Sequence, residues 1–125
     1  MNWFQAVMRV SSTKLIKMVV GPKAFGEKPF SPDEVKAALE EFFTLIVQEL
    51  DRWSSRQGYF SGEDLSVVDL MIYNELKTVL VLHKKELSSE AYPDLHNWYL
   101  RLSRIQAIGE VDSLFMEIVK TYQLI

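Results

Sequence analysis

The sequence contains no cysteine, which removes disulfide cross-links, thiolate nucleophiles and any zinc site built on sulfur. Acid is missing from residues 1 to 26, which carry Arg9, Lys14, Lys17 and Lys23, so the remaining chain holds a net −7 within an overall −3. Long apolar runs are also absent. The longest uninterrupted one, Val79 to Leu82, has four residues, against the ~20 that cross a bilayer. Glycines are few, and Gly58 and Gly62 flank a turn without the spacing of a phosphate-binding loop. The two histidines, His83 and His96, are thirteen positions apart. That spacing lacks the i, i+4 or carboxylate-flanked pattern of a metal set, so they read as helix-end and surface residues.

What is present is ordinary for a folded protein. Apolar residues make up 48% and charged residues 25% of 125 positions, close to the averages for soluble domains. A chain of this length buries roughly two thirds of its unfolded surface. Residues 1–125 therefore read as one domain. The basic N-terminal segment has two readings. It fits loosely the basic, acid-free, Ser-containing pattern of a mitochondrial presequence, and it fits a first core helix with a solvated basic face. Its four cations lack the dense clustering of a nucleic-acid surface, and the acidic pI of 5.4 also argues against nucleic acid as a partner.

The apolar pattern is helical throughout, with no surviving strand alternation. In the first segment Phe4, Val7, Met8, Leu15, Met18 and Val19 share a face, and Gly21-Pro22 is expected to end that helix. Ser31 opens the next with a capping box to Glu34, Pro32 at the first helical position and a Phe30–Val35 staple. Val35, Leu39, Phe42, Phe43, Ile46, Leu50 and Trp53 form its inner face, Lys36, Glu40, Glu41 and Glu49 its wet one, and Gly58 is expected to close it.

The stretch YFSGEDLSVVDL, residues 59 to 70, combines a turn with a helix start. Ser66 is the N-cap, Asp69 returns the bond to the Ser66 backbone, and Leu65 staples onto Leu70. The helix that follows, to about His83, is apolar on nearly every side and so is expected to be central. A start buried in this way needs side-chain acceptors for its first N–H groups, and Asp69 suits the positive end of the helix dipole. With the capping geometry accounting for Asp69, its neighbours Glu63 and Asp64 do not make it an acid/base pair. Pro93 then opens a helix that buries Leu95, Trp98, Tyr99 and Leu102, with Arg101 and Arg104 outward. After Gly109 a last helix places Val111, Leu114, Phe115, Ile118 and Tyr122 on one face. The fold class is all-α, a bundle of about five main helices.

Three stretches in this order resemble the C-terminal all-helical domain of cytosolic glutathione transferases. GYFSGEDLSVVDL is similar to that family's loop, capping box and staple. YPDLHNWYLRLSRIQAI is similar to its next helix, with Pro93, Leu95, Trp98 and Arg101 at matching positions. Trp3 and Arg9 resemble a Trp and an Arg on the first helix of the theta-class domain. Gln106 departs from the pattern, standing where the family commonly has proline.

The resemblance implies that glutathione is bound and activated on a preceding thioredoxin-like domain, which is expected to lie outside this sequence. No catalytic residue, cofactor site or metal site is therefore expected in this chain, and glutathione only if a separate thioredoxin-like domain is supplied. Trp3, Phe4 and Arg9 are the possible pocket or interface residues; the matching theta-class Arg lines the electrophile pocket, whereas read from the helix alone Arg9 is an exposed residue of a basic face. The leading functional expectation is a non-catalytic assembly or scaffold module of a larger, cytoplasmic complex, with a protein partner or self-association. The alternatives are the electrophile-binding half of a theta-like transferase and a structural subunit of a mitochondrial complex.

Overall fold

The structure is a computed structural model that describes residues 3–54, 58–60 and 62–125, apart from the side chain of Gln5. Among the described residues six α-helices make up five rods: α1 (Arg9–Phe25), α2 (Pro32–Phe42), α3 (Gln48–Ser54), α4 (Val67–Leu82), α5 (Pro93–Ser103) and α6 (Gln106–Thr121). A π-helical turn, Phe4–Met8, leads into α1, and a second, Phe43–Val47, joins α2 and α3 without a break. Among the described residues the only bridge-like pairing is at Tyr59 and Gly62, which exchange both backbone hydrogen bonds at 2.8 and 3.1 Å.

The starts of these helices follow local chemistry. At α2, the extended Ser31 accepts the Glu34 N–H at 3.1 Å and Pro32 occupies the first turn, so two of the unsatisfied groups of a helix start are dealt with by sequence alone. At α5 the cap comes from another element: Asp51 of α3 accepts the Leu95 N–H at 2.9 Å. This fastens α3 to α5 while serving the positive end of α5. Between α5 and α6 the chain turns at Ile105, which is extended at φ −74°, ψ 126°. Gln106 then begins α6, so the break is made without proline.

Three expectations need correction. Gly21-Pro22 does not end the first helix, which continues to Phe25 and stops at Gly26 in the left-handed region, φ 67°, ψ 19°. Gly21 is buried, and Val19 and Val20 pack on the small cluster formed by Leu82, Val119 and Leu124. The last turn is closed, despite the hydrogen bond proline forfeits, by the Gly26 and Glu27 N–H groups, which both donate to the Gly21 carbonyl. Val7 does not join the core face but is 42% exposed. The wider π turn carries position i+3 further around from Phe4 than an α-turn would, while Phe4 and Met8 both stay inside. Finally, the last helix begins at Gln106 rather than after Gly109. It buries Ile108 and Val119, and Val111, Leu114, Ile118 and Tyr122 lie exposed.

The main core gathers Met8, Leu15, Phe42, Ile46, Leu50, Leu76, Leu95, Trp98 and Leu102 from α1 to α5. Burying large apolar side chains of this kind contributes about 1.5–3 kcal/mol each before conformational entropy is set against it. Helix α4 runs through the middle, bonded to α1, α5 and α6 through Glu75, Asp69 and Lys77. The second rod is described to Ser54, and the expected closure near Gly58 involves residues 55–57, which lie outside the described residues.

Candidate functional site

Because α4 is enclosed over most of its surface, its buried polar side chains must find partners within the protein. Three of them organise the polar interior. Asp69 is fully buried. Its Oδ2 accepts the Ser66 N–H at 3.0 Å and the Ser66 hydroxyl at 2.9 Å, and the reciprocal contact from the Ser66 side chain to the Asp69 backbone completes a capping box. Its Oδ1 accepts the Phe60 N–H and the Trp98 indole N–H, both at 2.9 Å. One carboxylate thus ties the 59–62 turn, the start of α4 and the middle of α5. Outside this knot the turn is held by Arg101, which donates to the Gly58 carbonyl at 2.6 Å and stacks over the Tyr59 ring. Gly62, at φ 132°, occupies a conformation that side chains rarely adopt. Leu70 packs half-buried against the core, while Leu65 is 40% exposed.

The second polar group is Lys77, buried in the middle of α4 and ion-paired with Asp112 of α6. Asp112 also accepts from the Tyr73 hydroxyl at 2.7 Å, and the ammonium lies 4.9 Å from the centre of the Phe115 ring. Burial and the Asp112 bond push the Tyr73 phenol well above its usual range. Burial, with Asp112 adding, pushes neighbouring Tyr99 up to about 12. Sequence reasoning missed this cluster; a lysine within an otherwise apolar helix was the signal that could have found it, since a buried cation demands a counter-charge. Its partner 35 residues away could not be read from spacing.

The third group lies on the open side of α4. Ser12, buried in α1, donates to Glu75 at 2.7 Å, and Glu75 holds the Arg9 guanidinium loosely, at 3.9 Å. Arg9, Phe4, Ile16, Met71, Glu75 and Thr78 line a groove of about 280 Å³ between α1 and α4. Of the residues singled out in the first helix, Phe4 and Arg9 meet in this groove. Trp3 does not line it, but packs edge-on against Trp53 with ring centres 4.7 Å apart. The Arg9 side chain is 53% exposed, so its donors are accessible to an anionic or polar group entering the groove.

Among the described residues no cluster of three His, Cys, Asp or Glu has metal-binding geometry. His83 sits at the end of α4 with Nε2 2.7 Å from the Leu15 carbonyl. Burial, with Lys85 adding, lowers its pKa from the usual 6.5 against the opposing effect of that carbonyl. His96 is on α5, two residues before Trp98, and is only partly buried. No described helix is long and apolar enough to cross a membrane.

Comparison with known families agrees with this architecture. No curated protein and no solved structure shows significant similarity to the chain. The model of the glutathione S-transferase C-terminal domain matches residues 11–105, a span from α1 to the end of α5 that includes the Asp69 knot and Trp98. With an all-helical fold and a family match over most of its length, the chain belongs to the glutathione S-transferase C-terminal domain family.

Proposed function

We propose that this helical module is non-catalytic in itself and serves as an assembly or scaffold subunit, binding a protein partner or a second copy of itself. The observation that carries this reading is an open apolar surface where α1 meets the second rod. Val10 and Leu45 are 66% and 58% exposed there, beside a groove of about 360 Å³ whose lining includes Lys14 and Glu41. Exposed apolar surface bordered by charge is the usual form of a protein-binding face. Lys14 and Glu41, lying on the two facing elements, suit an isologous contact in which each cation meets the other copy's acid.

Light scattering on the purified chain tests this. The expected result is a species larger than the monomer, or a stoichiometric co-purifying partner, that dissociates in Leu45→Glu. Lys14→Glu alone weakens self-association, and Lys14→Glu with Glu41→Lys restores it. A monodisperse monomer with no partner overturns the proposal.

A second reading is favoured by the Arg9 groove: the electrophile-binding half of a theta-like transferase, acting with a glutathione-binding domain. Supplying a thioredoxin-like transferase domain in trans should then give conjugating activity that falls in Arg9→Ala. The packing of Phe4, Met8, Leu15 and Met18 into the core supports the reading of residues 4–18 as part of a core helix. Deleting residues 1–20 should accordingly unfold the protein, and imaging of a tagged copy tests its location.

A further inference from the structure

Helix α6 carries an apolar stripe on its outer side. Val111, Leu114, Ile118 and, at the cap, Tyr122 follow one another at spacings of three, four and four residues, and each is 52% to 61% exposed. That spacing aligns them along one face over about three turns, or ~17 Å. The helix does not roll this face inward because its other flank is already committed. Ile108 and Val119 are buried there, and Asp112 is paired with Lys77, a bond whose loss inside the protein costs more than leaving a few side chains wet. All of α6 also lies beyond the span 11–105 that matches the family model.

The stripe has an acidic margin. Glu110 and Glu117 stand one position before Val111 and Ile118, and both are exposed. Neither takes part in an ion pair among the described residues, and Glu110 accepts from the neutral Gln106 at 3.3 Å. Lys120, the cation of α6, comes two positions after Ile118 and so points away from the stripe. The margin therefore selects what can lie on the face. Two α6 helices packed antiparallel set their glutamate margins against each other, and packed parallel they set them against the margin that holds Phe115 and Tyr122. Either way the acids gain no counter-charge, and an anionic membrane surface repels them.

We propose that the outer face of α6 binds an amphipathic helix of a partner protein, one with apolar residues at three- and four-residue spacing and Lys or Arg along one margin. The apolar seam supplies the drive to associate. The opposed charges fix the orientation and discriminate against acidic helices. The proposal extends the assembly reading by adding a second face and the chemistry of its partner. It shares no residue with the surface where α1 meets the second rod, so either can fail without the other.

The test is titration of the full chain into a fluorescently labelled synthetic Leu/Lys helix, LKKLLKLLKKLLKL, followed by anisotropy, with the Leu/Glu peptide of the same pattern as comparison. The expected result is saturable one-to-one binding of the Leu/Lys peptide, about tenfold tighter than the Leu/Glu peptide and weaker at high salt. Leu114→Ser with Ile118→Ser is expected to lower that affinity by about tenfold or more. Glu110→Lys with Glu117→Lys should reverse the preference between the two peptides. All four positions are exposed, so thermal melts should show the variants folded, and Leu45→Glu, on the other face, should leave peptide binding unchanged. Equal affinity for the two peptides, indifference to the α6 substitutions, or loss of binding in Leu45→Glu overturns the proposal. So does binding to phosphatidylcholine and phosphatidylserine vesicles that depends on Leu114 and Ile118, or self-association that depends on them, since a membrane or a second copy would then be the occupant.

Discussion

Asp69 shows how much of the interior a single side chain can organise. Its oxygens accept from two backbone N–H groups, a hydroxyl and an indole, contributed by the 59–62 turn, α4 and α5. Asp69→Ala strands these donors in a dry environment and should cost about 3–5 kcal/mol in a urea titration. Trp98→Phe removes one donor and leaves the others paired, so about 1 kcal/mol is expected beyond any packing loss. Within the sequence, the capping half of this arrangement was legible from Ser66 and Asp69, because a helix start constrains neighbours three residues apart. The Trp98 and Phe60 bonds were not, since they depend on how α5 and the turn come to lie against α4. His83 gives a second residue-scale expectation. Its folded pKa lies below its usual 6.5, so the unfolded chain takes up the proton more readily. The stabilising difference is present above pH 6.5 and lost as pH falls through the folded value. Chemical denaturation at a series of mildly acidic pH values should show that loss, and His83→Gln should flatten it.

Between elements, polar contacts do what apolar patterning could not foretell. The sequence marked α2 well, with its cap, proline and inner face, because each of these signals is local. It marked α6 poorly. The face bearing Val111, Leu114, Ile118 and Tyr122 is the most apolar to the eye, yet α6 turns the side with Asp112 and Val119 inward, so that Asp112 reaches Lys77. A buried cation on α4 outweighs several apolar residues in setting the rotation of α6, since leaving the charge unpaired costs more than leaving a few side chains wet. Asp112→Ala alone should therefore destabilise by about 3–5 kcal/mol, and the double replacement Lys77→Met, Asp112→Leu should recover most of that loss. Thermal melts of the single and double variants measure the coupling directly. At α1, Pro22 shows the same precedence in the other direction. The local stop was overridden, and the helix closes instead at left-handed Gly26, where the Gly26 and Glu27 N–H groups return to the Gly21 carbonyl.

At the scale of the whole molecule, the fold class was legible because helical periodicity and caps repeat along the entire chain. The open faces were not, because exposure depends on which rod covers which. The tyrosines report on that covering. Tyr73 and Tyr99 are both held in the neutral form by burial, Tyr99 up to about 12, against an ordinary phenol near 10. Their contribution to stability is complete below pH 10 and is lost as pH rises from 10 towards 12. Alkaline titration followed by absorbance should show these two ionising late, together with loss of helical circular dichroism. Breaking the Tyr73–Asp112 bond with Tyr73→Phe should leave Tyr99 as the main late component. The Asp69 knot also has a consequence for biosynthesis. Its indole partner is made 29 residues after the carboxylate, so while the polypeptide is growing out of the ribosome, the mouth of α4 has to wait, one of its four donors missing, until Trp98 clears the exit tunnel. Stalled nascent chains ending before and after that point should differ sharply in their resistance to protease.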